Sequence, residues 1–172
     1  GLPLILSDIP LPIGLNNTAR WLRALGIYFG VEDKVEEIIK AGEEKVIDLL
    51  RKRALMIIPR YRNCRIAISA DATIGTGLLR MLFEELEMIP EVLMIKSNTP
   101  EAKKIVSEEL NSMKISPKVI FGVDGYKIKK VLKDFNIDSV IGSSWEKYMA
   151  EEVGIKLAFD VFTPTNRDVY VD

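Results

Sequence analysis

Histidine is absent from the 172 residues. Its absence removes the commonest general base near neutral pH and the commonest imidazole metal ligand. It also excludes a serine–histidine hydrolase built within the chain, although Ser69, Ser97, Ser143 and Ser144 are available. A single cysteine, Cys64, excludes an internal disulfide and any all-cysteine cluster site supplied by this chain alone. A metal role for Cys64 would need ligands from another chain, and a buried structural thiol is the simpler reading. An excess of positive charge is also missing. Twenty-four basic against 25 acidic residues give a net charge of −1, so nucleic acid is not an expected partner. No apolar run approaches the roughly 18 residues of a membrane-spanning helix. The apolar stretch Leu2 to Leu6 lacks the basic flank and cleavage site of a signal peptide.

What is present suits one compact α/β domain: 48% hydrophobic and 28% charged residues over a length that can bury a sizeable core. The chain opens at Gly1 inside an apolar stretch and stops at Asp172 in mid-pattern, as expected of a piece of a longer protein. Three prolines in the first 15 residues (Pro3, Pro10, Pro12) predict an extended opening segment. Asn16, Asn17 or Thr18 is positioned to cap a helix carrying Trp21, Leu22, Leu25 and Tyr28, which Gly30 ends. Glu32 and Asp33 begin a long amphipathic helix expected to run to about Ile58 and stop at Pro59.

From Cys64 the rhythm changes. Short apolar runs at Arg65 to Ser69, Val92 to Ile95, Val119 to Phe121, Ser139 to Ile141 and Lys156 to Phe159 read as strands. Four helical patterns separate them. One opens on Thr99-Pro100-Glu101, a threonine cap followed by proline in the first turn. Strands alternating with helices imply right-handed βαβ crossovers, hence a Rossmann-like parallel sheet of about five strands with helices on both faces. The expected organisation is residues 1–62 as an extended segment and two helices, and 63–172 as the α/β unit.

Ligands of open parallel sheets gather beyond the carboxyl ends of the strands. That selects the loops Ala70 to Gly75, Lys96 to Thr99, Gly122 to Gly125 and Gly142 to Glu146, and the stretch Val161 to Arg167. Gly75 and Gly77 begin a dinucleotide-type glycine pattern, but Arg80 stands at the third glycine position. The second strand ends in Lys96-Ser97 rather than in a ribose-binding acid. The two glycines are better explained by close helix-to-sheet packing. Asp71 either caps its helix or faces a ligand. Ser143 and Glu146 match the S-x-x-E capping box, and the same helix start would also favour an anion. Glu84-Glu85, Glu108-Glu109 and Glu151-Glu152 read as solvated helix faces, and Trp21 and Trp145 as packing anchors. On chemistry alone the chain holds no complete active site.

The order of segments resembles the middle of a nitrogenase component 1 subunit. Gly1-Leu2-Pro3 resembles that family's G-I-P opening, and Pro12-Ile13-Gly14-Leu15 with Thr18 and Trp21-Leu22 resembles the segment that follows it. Leu78 through Pro90 is similar to an F-L-x-E-L-G-M-x-P helix and turn. Ile141-Gly142-Ser143-Ser144-Trp145-Glu146-Lys147-Tyr148, continuing to Ile155, is very similar to I-G-S-S-W-E-K-Y-x-A-E-E-L-G-I, and Val161-Phe162 imperfectly resembles an F-P-I-F-D-R segment. The resemblance implies an oxidoreductase subunit, cytoplasmic, paired with a homologous subunit and fed electrons by an ATP-dependent iron protein. It implies an iron–sulfur or iron–molybdenum-type cluster in the intact parent, with ligands lying before Gly1 and after Asp172, and none in this piece. By the same resemblance Asp71 with Gly77-Leu78 follows the G-D-P-D-x-x-x-G-L loop of β-type chains rather than the glycine- and arginine-rich loop of cofactor-bearing α-type chains. Asp71, Thr73, Ser97, Ser143 and Ser144 are the expected cavity-lining residues. The parent would be catalytic and this piece would not. Alternatives within the family are a cofactor-assembly scaffold without turnover or a tetrapyrrole reductase.

Overall fold

A computed structural model describes residues 11–162. The prolines of the first ten residues and most of the stretch to Arg167 lie outside the described residues. Helix α1 spans Gly14–Phe29 and α2 Glu32–Tyr61. The alternating part follows as β1 (Arg65–Ala70), α3 (Ala72–Glu84), β2 (Ile89–Ile95), α4 (Pro100–Met113), β3 (Lys118–Phe121), α5 (Gly125–Asp134), β4 (Ser139–Gly142), α6 (Ser144–Glu152) and β5 (Leu157–Asp160). All pairings are parallel and the strand order is β3-β2-β1-β4-β5. The five-stranded parallel sheet and its alternating helices match the architecture expected from the sequence.

Ile66, Ile68, Leu93 and Ile95 point to one face with α3 and α4, and Ala67, Val92, Met94 and Val140 to the other with α5 and α6. The period-2 alternation thus places apolar residues on both faces, as a covered parallel sheet requires. Ile66, Ile68, Leu93 and Ile95 are fully buried, each contributing about 1.5–3 kcal/mol relative to exposure.

Several local expectations give way to tertiary contacts. The N-cap residue of α1 is Ile13, which makes no side-chain capping bond. The backbone N–H of Asn16 instead donates to Glu85 Oε1 at 3.1 Å, so a carboxylate from the end of α3 satisfies an amide a cap would have taken. Gly14 has φ +79°, and a methyl on it would lie 2.6 Å from Met81 Cγ, so the chain start is pressed against α3. Helix α2 continues past Pro59 to Tyr61. The proline forfeits only one bond, to Leu55, which is 93% exposed and open to water. That last turn brings Tyr61 onto the core. Gly75 packs on the sheet, at Leu93 and Ile95, as expected, but Gly77 faces Ile13 and Asn17 of the α1 region instead.

Glu109 is not on a solvated face. It is buried and accepts from Arg80 Nη2 at 2.8 Å and Nε at 3.2 Å, while Arg20 of α1 approaches at 3.4 Å. Arg80 also donates to Glu84 Oε1 at 2.7 Å and to Ser112 Oγ. This network ties α1, α3 and α4 together and explains why arginine stands where a third glycine was sought. Trp145 is 75% exposed, so it is no packing anchor, whereas Trp21 is half-buried. Among the described residues no helix is long and apolar enough to cross a membrane.

Candidate functional site

Strand order reverses direction between β1 and β4, one strand leading toward β2 and the other toward β5. At such a switch point the following loops diverge and leave a crevice at the carboxyl edge. The loop after β1 carries Asp71, and the loop after β4 carries Ser143. The two lie on adjacent strands because Ile68 pairs with Ile141.

The centre of this edge is a carboxylate. Glu146, 2% exposed, reaches back from the first turn of α6 and forms the capping box with Ser143. The Ser143 N–H donates to its Oε2 at 2.7 Å, and the Ser143 hydroxyl donates to the same oxygen. From the other side of the switch point Ser69 of β1 donates its buried hydroxyl to Oε1 at 3.0 Å. Lys96, at the end of β2, places Nζ 3.7 Å from that oxygen. Burial pushes the Glu146 carboxyl up, but the hydrogen bonds from Ser143 and the Lys96 charge outweigh it and hold the group below its ordinary range. Gly142 makes this packing possible: a methyl there would lie 2.7 Å from Glu146 Cβ. One side chain therefore joins β1, β2, β4 and α6.

Around it the five expected lining residues divide. Ser143 is buried and committed to the box. Ser144 Oγ donates to Asp160 Oδ2 at 2.6 Å, linking the α6 start to the end of β5. Asp71 occupies the N-cap position of α3, is exposed, and makes no side-chain capping bond. Thr73 is exposed in the first turn of the same helix. Ser97 lies beyond β2, half-buried, one strand further from the crevice. The edge thus brings together Asp71, Ser143 and Ser144, with Ser97 as an outlier. Sequence reasoning selected the loop that opens at Lys96 without singling out that residue, and it missed Ser69 and Asp160 as members. The signal for Ser69 was a lone hydroxyl residue in an otherwise apolar strand, and for Lys96 a charge at a strand's carboxyl end. Because Glu146 fills the α6 start, the anion site weighed there is already taken by the chain's own carboxylate.

A sequence profile of the family described as "Nitrogenase component 1 type Oxidoreductase" matches residues 1–170. This chain belongs to that nitrogenase component 1 family. It is 31% identical over 153 residues to the nitrogenase molybdenum-iron protein beta chain of Methanococcus maripaludis, covering 85% of this chain and 30% of that one. It is 27% identical over 147 residues to the nitrogenase vanadium-iron protein beta chain of Trichormus variabilis, covering 82% and 30%. The solved structure titled "Nitrogenase Cp1 at pH 6.5" superposes with a TM-score of 0.71 at 22% identity, over 89% of this chain and 32% of that one, which shows the shared fold. The chain spans about a third of the length of these relatives.

Members of a nitrogenase component 1 family carry an expectation of metalloclusters, and the chain's own donors do not fit one as ligands. Among the described residues no three His, Cys, Asp or Glu side chains converge as a metal site. Cys64 is buried at the amino end of β1, six residues and about 20 Å from the carboxyl edge. Burial pushes its thiol pKa up, away from the thiolate a metal needs. What the edge does offer is hydroxyls, an exposed aspartate and a half-exposed lysine, groups that hydrogen-bond to something held by others.

Proposed function

We propose that this chain is the middle α/β domain of a nitrogenase-like oxidoreductase subunit of β type, with residues 1–62 buttressing the Rossmann-like unit 63–172. Its carboxyl edge, through Asp71, Thr73, Ser97, Ser143 and Ser144, lines a cluster or substrate cavity whose metal ligands come from other parts of the parent. The parent works in the cytoplasm with a homologous subunit, and an ATP-dependent iron protein supplies its electrons. The observation that carries the reading is the agreement of the family profile over 1–170 with beta-chain relatives at up to 31% identity. It is supported by an edge whose described residues offer hydrogen-bonding groups.

The test uses the full-length parent, purified with its partner subunit. Iron and acid-labile sulfide in stoichiometric amount, together with ATP-dependent reduction by an iron protein, are expected. Asp71→Ala is expected to shift the cluster's electron paramagnetic resonance spectrum while leaving iron content unchanged. A parent with no iron and no electron uptake would overturn the reading. Iron bound without turnover would favour the assembly-scaffold alternative instead.

A further inference from the structure

Helix α2 carries its charge in two blocks. Residues 32–44 hold six acids against Lys34 and Lys40, a net −4, and residues 45–61 hold five bases against Asp48, a net +4. Compensation of the helix dipole accounts only for charges in the first and last turns. Glu43, Glu44, Arg51, Lys52 and Arg53 stand in the middle of the helix, beyond that reach. The ion pairs that α2 makes among the described residues are Arg23–Glu36 and Lys52–Asp48, so most of each block is uncompensated within the chain.

The same helix leaves an apolar line uncovered. From Lys40 to Tyr61 none of its described side chains is buried. Ile38, Leu49 and Met56 are 59%, 55% and 77% exposed. Spacings of eleven and seven residues put them on one line of a helix. Gly42 lies close to that line with open space around it. A second apolar surface stands at the junction of α1 and α2, where Ile27, Tyr28, Phe29 and Val31 are all exposed. Contiguous exposed apolar surface of this kind marks a docking face.

Two copies of α2 crossing antiparallel at Gly42 satisfy both patterns at once. Glu32 and Asp33 stand ten and nine residues before Gly42, and Arg51 and Lys52 nine and ten after it. Each pair is therefore about 14–15 Å from the crossing and level with the opposite charge of the other copy. Leu55 and Met56 lie about 20 Å beyond the crossing, level with the other copy's Tyr28 and Phe29. A parallel pairing would instead set acid on acid and base on base. The glycine lets the two axes approach closely where they cross. A face about 45 Å long and 10 Å wide covers about 900 Å² over two copies, the size of a weak, exchanging interface.

We propose that α2 pairs antiparallel with α2 of a second copy of this chain, the acidic half of each lying on the basic half of the other. The interface is self-complementary about a two-fold axis at Gly42. It goes beyond the cavity at the carboxyl edge and does not depend on it.

Sedimentation equilibrium of the full 172-residue chain is expected to show monomer and dimer with a dissociation constant of about 10–100 μM. Arg51→Glu with Lys52→Glu, and separately Glu32→Lys with Asp33→Lys, are each expected to weaken the dimer at least about tenfold. An equimolar mixture of these two variants sets opposite charges together on both sides of the crossing, and it is expected to dimerise within about threefold of the wild-type chain. All four positions are exposed, so circular dichroism should be unchanged. Gly42→Cys is expected to give a disulfide-linked dimer under mild oxidation about ten times faster than Tyr126→Cys, which stands on α5. A wild-type chain still monomeric at about 1 mM, variants that dimerise as well as wild type, or a mixture no better than its components would overturn the proposal. Equal cross-linking rates at the two cysteines would overturn it as well.

Discussion

Replacing Glu146 by alanine removes the one acceptor shared by four elements. Ser69 Oγ loses its bond at 3.0 Å, and the Ser143 N–H loses one at 2.7 Å, both in buried surroundings. Loss of a helix cap alone costs about 0.5–2 kcal/mol. A buried donor left without an acceptor adds about 1–3 kcal/mol. Part of this is recovered where water can enter, so Glu146→Ala is expected to destabilise by about 3 kcal/mol in urea titration of the chain, with an unchanged slope. For a chain of this size that lowers Tm by about 6–12 °C. Glu151→Ala, on the exposed side of the same helix, serves as control and is expected to stay within about 0.5 kcal/mol.

The pH dependence follows from the same geometry. The folded carboxyl titrates below its ordinary range, so its stabilisation is complete above the unfolded pKa and is lost as pH falls toward the folded value. The wild-type chain should therefore lose stability in acid more steeply than Glu146→Ala. A variant within about 0.5 kcal/mol of wild type at neutral pH, or with an identical acid profile, would refute the idea that this side chain holds the switch point closed.

Arg80→Met leaves Glu109 buried with only the more distant Arg20 as a partner, and urea titration should show a loss of about 3–5 kcal/mol. Ser139 Oγ is buried without a hydrogen-bond partner among the described residues, so Ser139→Ala should be neutral or stabilising by about 1 kcal/mol in the same assay. Trp145→Ala removes a side chain that is 75% exposed, and calorimetry should find stability within about 0.5 kcal/mol of wild type. Cys64, buried with its thiol pKa raised, should resist alkylation by iodoacetamide at neutral pH until denaturant unfolds the chain.

The sheet was legible because each strand is a short apolar run, and the connecting helices carry their own punctuation. Thr99 does accept from the Ala102 N–H at 3.2 Å, and Asp124 accepts from Lys127 at 2.8 Å. The errors cluster where a distant segment replaces a local device. Glu85, 69 residues away, does for Asn16 what an adjacent cap would have done, and spacing along one helix cannot announce it. Trp145 shows the converse. Its large aromatic side chain reads as a packing anchor, yet the side of α6 that meets α5 and the sheet is filled by Met149 and Ala150.

Glu146 is the deeper case, because the capping-box reading was correct and incomplete. A box explains why serine and glutamate stand three residues apart. It does not explain why that glutamate is 2% exposed, or why Gly142 has no room for a methyl. Those follow only once β1 is known to lie beside β4, which brings Ser69 within reach from 77 residues away. The local rule and the tertiary one use different oxygens of one carboxylate: Oε2 faces Ser143 and Oε1 faces Ser69 and Lys96. Sequence pattern can reveal the first oxygen's partner. The second oxygen's partners are a property of strand order, and they convert a helix cap into the clasp across the sheet's switch point.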